Sequence, residues 1–155
     1  MEFITDRTVR DVQLAQAAIL AKIQKGLSPT EKELGYLLRG TLTIDVLNRL
    51  EAEIRDLSNT LISEFYFVNV EPKEEEWGYK DIFDSGDHDR FLKNVDAFRA
   101  FYKGDDMPTT PTYMYSWQNM NAIESILKKI YEIVTQMEAN TQYCGTFYCG
   151  DENNL

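Results

Sequence analysis

A chain of 155 residues is long enough to bury a core of its own, and 43 % hydrophobic with 12 % aromatic content excludes a disordered protein. Sixteen basic against twenty-six acidic residues leave a formal charge of −10, which repels a phosphate backbone and argues against nucleic acid as a partner. No run of about 18 apolar residues occurs and the opening MEFITDRTVRD does not read as a signal peptide, so neither membrane insertion nor export is expected. Two cysteines in such a cytoplasmic chain are expected to stay reduced.

Residues 1–67 read as an N-terminal helical part. An extended lead of Phe3, Ile4, Thr5, Asp6 and Arg7 runs into Thr8, which with Asp11 three residues on can cap a helix ended by Gly26. Val12, Ala15, Ile19 and Ile23 form its predicted inner stripe. In SPTEKELGYLLRG, Ser28 reads as an N-cap, Pro29 as the first helical residue, Glu31 as the closing member of a capping box, and Gly40 as the stop. Thr43 opens a third helix in which Leu47, Leu50, Ile54, Leu57 and Leu61 recur at spacings of 3, 4, 3 and 4, a heptad seam.

From 68 to 86 the periodicity is lost around Pro72, the acidic run 74–76 and Trp77, which predicts an acidic linker. Residues 87–140 read as a C-terminal helical part. Its first helix, from about 87 to 102, carries Phe91, Val95, Phe98 and Tyr102 on one face, with Ser85 or Asp87 as cap. After the two prolines of DDMPTTPTYMY, Ser116 opens a helix with the strongest seam in the chain: Met120, Ile123, Leu127, Ile130, Val134 and Met137. Each seam fits either one intramolecular bundle core or an interface completed by another chain. Residues 141–155 then alternate, with Tyr143, Gly145 and Phe147 against Cys144, Thr146 and Tyr148, as a strand does. The predicted fold is all-α, a two-part helical bundle of about five helices with an extended N-terminal lead and a short C-terminal β-arm.

Residues that could carry chemistry are sparse. Structural zinc takes four Cys or His ligands, whereas Cys144 and Cys149 have only the distant His88 to join them. In a strand those two cysteines lie about 16 Å apart, too far for a disulfide, which only a tight hairpin through Gly145 and Thr146 would allow. Asp84, Asp87 and Asp89 lack the spacing and terminal glutamate of a calcium loop and read as a solvated helix cap. No nucleophile motif, phosphate loop or second histidine occurs, so neither cofactor nor enzymatic activity is expected.

Taken in order, FITDRTVRDV, LNRLEAEIRDLSNTL, RFLKNVDAFRAFY and PTTPTYMYSWQNMNAIESILKKIYEIV, running into YCGTFYCG, resemble a family of small proteins encoded among the tail genes of tailed bacteriophages and of phage-tail-like particles of Gram-positive hosts. The family pattern falls here on Ile4, Asp6, Arg7, Thr8, Asp11 and Val12; on Leu47, Asn48, Arg49, Leu50 and Glu51; on Trp117, Asn121, Ile123, Glu124, Ile126 and Leu127; and on Tyr143, Gly145, Tyr148 and Gly150. Cys144 and Cys149 stand where the family often has Ser or Ala. The resemblance implies a structural subunit of the virion or tail-like particle, at the baseplate or fibres, assembled in the host cytoplasm among other tail subunits and as a homo-oligomer. The expected binding residues are those of the two ends, Phe3, Ile4, Thr5, Asp6 and Arg7 with Tyr143, Cys144, Thr146, Phe147 and Tyr148, adding to sheets or grooves of neighbours. A different class, a small acidic phage-encoded inhibitor that captures a host protein by charge mimicry, is suggested by the net −10.

Overall fold

The computed structural model describes residues 1–144 apart from Glu2, Phe65 and Lys103, with the last five, 140–144, described by backbone. Among the described residues there are five α-helices and no strand: α1 (Val9–Ala21), α2 (Glu31–Gly40), α3 (Ile44–Ser63), α4 (Ser85–Phe101) and α5 (Trp117–Cys144).

The starts of these helices follow side-chain chemistry. Thr8 and Asp11 close a reciprocal box on α1, and the Thr43 hydroxyl accepts the Val46 N–H at the head of α3. For α2 the box is not Ser28 with Glu31. The same spacing recurs two residues later, and Thr30 with Glu33 is the pair that closes, leaving Pro29 outside the helix. For α4 the cap is Asp84, because Asp87 then sits at the third helical position and returns a carboxylate to the cap N–H, which His88 opposite Ser85 could not do. Ser116 opens α5, its hydroxyl accepting the Asn119 N–H at 3.1 Å.

One core joins α3, α4 and α5. Leu47, Leu50, Ile54, Leu57 and Leu61 of α3 meet Phe91, Val95 and Phe98 of α4 and Met120, Ile123, Leu127, Ile130 and Val134 of α5, all buried. Met137, the last residue of that seam, is half-buried. Fully burying each such side chain contributes about 1.5–3 kcal/mol, so these three helices hold most of the stability.

Residues 68–86, expected as a linker, are fastened to that core. Val68 and Trp77 belong to it. Asn48 of α3 accepts the Trp77 N–H at 2.6 Å and donates to the Trp77 carbonyl at 3.1 Å. Glu51 accepts the Lys73 N–H at 3.0 Å, and Asn94 of α4 both accepts from and donates to the Glu71 backbone, at 2.8 and 3.0 Å. Up to Ser85, where α4 begins, this strap has neither helix nor strand, and side chains of two helices meet the backbone of Glu71, Lys73 and Trp77.

The other two helices form an antiparallel hairpin, with Asp11 and Ala15 beside Gly40 and Lys22 beside Glu33. It buries only Ala15, Ala18 and Leu37. Ile23, predicted to face inward, is exposed because α1 stops at Ala21, and a short 3-10 turn leads to Gly26 with φ 68°, a left-handed conformation suited to glycine. Gly40 is less a stop signal than a crossing point: a Cβ there would sit 2.2 Å from the Asp11 carbonyl oxygen and 2.6 Å from the Ala15 Cβ. Gly40→Val is therefore expected to destabilise the hairpin by about 1–3 kcal/mol, read as faster amide exchange in α1 and α2 with α5 unchanged; unchanged protection of α1 would contradict this packing.

Helix α5 continues to Cys144. Tyr143 and Cys144, placed by the sequence at the start of an extended arm, are in its last turn. The remainder of the predicted arm, with Thr146, Phe147, Tyr148 and Cys149, lies outside the described residues.

Candidate functional site

The chemical centre of the structure is an ionic cluster where the N-terminal lead crosses α3 and α5. Glu124 of α5 has no exposed surface. It receives the Ile4 N–H, pairs with Arg7, and takes a two-pronged contact from Arg49 of α3 at 2.7 and 3.1 Å. Arg7, only 3 % exposed, also donates to the Ile4 carbonyl, while Asn121 accepts the Arg7 N–H at 3.0 Å and donates to the Arg7 carbonyl at 2.9 Å. The lead was expected to reach a neighbouring subunit. Its backbone is engaged within the chain, in the manner of a bound extended peptide, by one face of α5. Phe3 packs on the core with its ring 5.8 Å from Tyr131, Ile4 and Thr5 are half-buried, and Asp6 pairs with Arg39 of α2 at 2.9 Å.

Arg49 completes the cluster by holding Glu53 at 3.0 Å. Burial disfavours the guanidinium charge, but Glu124 and Glu53 outweigh it and hold Arg49 protonated more firmly than usual. Glu53 behaves oppositely: burial, opposed by Arg49 and reinforced by repulsion from Glu124, pushes its carboxyl from 4.5 up to about 7. One of its oxygens, Oε2, is buried without a hydrogen-bond partner.

The sign of the pH effect follows. The folded value of about 7 lies above the unfolded 4.5, so the folded chain holds a proton that the unfolded chain has released. That contribution is present in full below the unfolded value and is lost as pH rises through the folded one. Glu53→Gln is expected to flatten stability between about pH 5 and pH 8 and to add roughly 1–3 kcal/mol at the upper end. Urea unfolding at three pH values checks this, and a wild-type chain more stable at pH 8 than at pH 5 would contradict it.

A second polar cluster fastens the strap. Glu51, buried on α3, receives Arg90 of α4 at 2.6 Å, and Arg90 also donates to the Glu71 carbonyl at 2.8 Å. The acidic turn ahead of α4 is engaged as a cap: Asp84 and Asp87 hold each other's backbone, and the half-buried His88 is stacked on Tyr115 with ring centroids 5.4 Å apart. Among the described residues no group of three or more His, Cys, Asp or Glu is placed to hold a metal ion, and no helix is long and apolar enough to cross a membrane.

Arg7, Arg49, Asn121 and Glu124 make the first cluster, Asn48 and Glu51 hold the strap, and Thr8 with Asp11 caps α1. Glu53 and Asn94 were not singled out from the sequence; a polar residue falling on a helix's buried face was the available signal. In chemical terms the cluster binds, orients and neutralises: it anchors an extended segment against two helices. No family model matches the chain, and no curated protein or solved structure does either.

Proposed function

We propose that this chain is a structural subunit acting by protein–protein assembly, built into a phage tail or phage-tail-like particle at the baseplate, the fibre attachment or an adaptor position. The observation that carries the assembly reading is the α1–α2 hairpin. Leu20, Ile23, Leu27 and Leu34 stand about half exposed around its tip, while the three-helix core is filled. A hairpin that buries three residues of its own gains stability from a partner. The tail particle itself comes from the sequence resemblance, whose polar residues fasten this fold.

The C-terminal arm is a second joining element in this reading: residues beyond Cys144 add to a neighbour's sheet, with α5 as the rigid stalk. Homo-oligomerisation inside a particle assembled in the host cytoplasm completes it. Mass spectrometry of particles purified from the encoding strain is expected to find the chain at a fixed ratio to the tail proteins. Its absence would sink the proposal and favour the acidic-inhibitor reading. Truncation after Cys144 keeps α5 whole, and a truncated chain that enters particles at full occupancy would rule out the arm's role.

A further inference from the structure

Glu53 and Glu124 are two buried carboxylates that share one guanidinium. Arg49 donates to Glu53 Oε1 at 3.0 Å and to Glu124 at 2.7 and 3.1 Å, whereas Glu53 Oε2 is buried with no hydrogen-bond partner. The charges facing Glu53 come from three elements. Arg49 lies on its own helix, Glu124 on α5, and the amino end of the chain is close enough to favour the carboxylate. Arg7 is committed to Glu124 and to the Ile4 carbonyl, and Lys128, one turn further along α5, is exposed. An ionised Glu53 holds part of its charge on an oxygen that nothing meets, a cost the neutral acid avoids.

The lead closes over this face of α3. Ile4 donates its N–H to the same Glu124 carboxylate and lines a cavity with Val46 and Arg49, and Phe3 packs on the core beside Tyr131. Behind the lead comes the α1–α2 hairpin, which buries few residues of its own. One end of it is tied to the core by Arg7 on Asn121 and Glu124, the other by Leu42, packed on the core just past α2.

We propose that the proton on Glu53 is a latch for the lead: residues 3–7, with the hairpin behind them, stay docked on α3 and α5 while Glu53 is protonated and come away more readily once it ionises. Linkage gives the reason. With the lead in place, burial pushes the Glu53 carboxyl from 4.5 up to about 7; with the lead away, water reaches Oε2 and the carboxyl falls back toward its ordinary range. The docked form thus holds the proton more tightly than the released form. Docking is strongest below the released value, weakens as pH rises, and has lost this contribution above about 7. Residues 41–43, with extended backbone at Thr41 and Thr43, serve as the hinge. A rise of pH through neutrality then frees the lead as an extended segment and uncovers Asn121 and Glu124. The latch is a property of the single chain and does not depend on its entering a particle.

Amide exchange of the full chain between about pH 5 and pH 8 tests it, with each rate divided by that of the unstructured amide at the same pH. Protection in α1 and α2 is expected to lie below that in α3, α4 and α5, and to fall at least about tenfold across the range. Core protection falls as well, since global unfolding also exposes Glu53. In Glu53→Gln, and in Glu53→Met as a second variant without an ionisable group, hairpin protection is expected to be equal at both ends of the range. Hairpin protection that stays constant with pH in wild type overturns the proposal, because Glu53 would then meet water only on global unfolding. Hairpin protection equal to that of the core overturns it too, since no separate release would exist. A fall that persists in either folded variant assigns the effect to another group and overturns it likewise.

Discussion

Glu124→Ala is expected to cost about 3–5 kcal/mol of folding stability, because it leaves Arg7 buried with no carboxylate and removes the acceptor of the Ile4 N–H. Arg49, partly exposed, keeps Glu53 and loses less. The consequence reaches beyond the site. The lead is what ties the α1–α2 hairpin to α5, through Arg7, Asn121 and the Asp6–Arg39 pair, so its release frees the hairpin as well. Amide exchange is expected to rise through α1 and α2 before the three-helix core opens. Glu124→Gln retains the shape and one acceptor and is expected to fall between wild type and Ala. Adding Arg7→Met to Glu124→Ala removes the stranded charge and is expected to recover part of the loss. Urea unfolding gives the numbers, and a cost below about 1 kcal/mol for Glu124→Ala would mean that the cluster does not anchor the lead.

Trp77→Ala is expected to lower global stability by about 3 kcal/mol, toward the low end for a buried aromatic. The ring is 5 % exposed, lies edge-on to Phe83 with centroids 5.3 Å apart, and carries the Lys73 ammonium 4.0 Å above it. Its Nε1 is buried without a hydrogen-bond partner, so truncation also relieves an unsatisfied donor, which moderates the loss. Trp77→Phe keeps the apolar contact and sheds that donor, and is expected to be close to neutral. In a chain whose 68–86 stretch merely linked two parts, neither change would move the unfolding midpoint. Thermal unfolding of the two variants beside wild type separates these outcomes, and a Trp77→Ala midpoint equal to wild type would show that the strap does not share the core.

The two heptad seams and the aromatic face of α4 were legible because a helix repeats every 3.6 residues and burial selects apolar side chains along one stripe. Caps were legible where one side chain sits three residues from its reciprocal partner, as Thr8 and Asp11 do. They were misread where the pattern recurs two residues later, as at Thr30 and Glu33, or where a carboxylate stands just ahead of the expected start, as Asp84 does. The strap was not legible at all. An aperiodic acidic stretch looks the same whether it floats or is fastened, because what fastens it are Asn48 and Glu51, 29 and 22 residues before their partners, and Asn94, 23 residues after.

By itself, then, the sequence determined that the chain is helical, where its helices pack and that α3 and α5 offer apolar seams. Local periodicity and cap chemistry act over three to four residues and are written into neighbouring positions. Only the tertiary structure decided that Arg7 meets Glu124 across 117 residues and that the lead is held within its own chain. It likewise decided that the 68–86 stretch is fastened by Asn48, Glu51 and Asn94. Those are properties of what is brought together in space, where burial turns a carboxylate such as Glu53 from a surface charge into a proton holder, and no spacing along the chain encodes them.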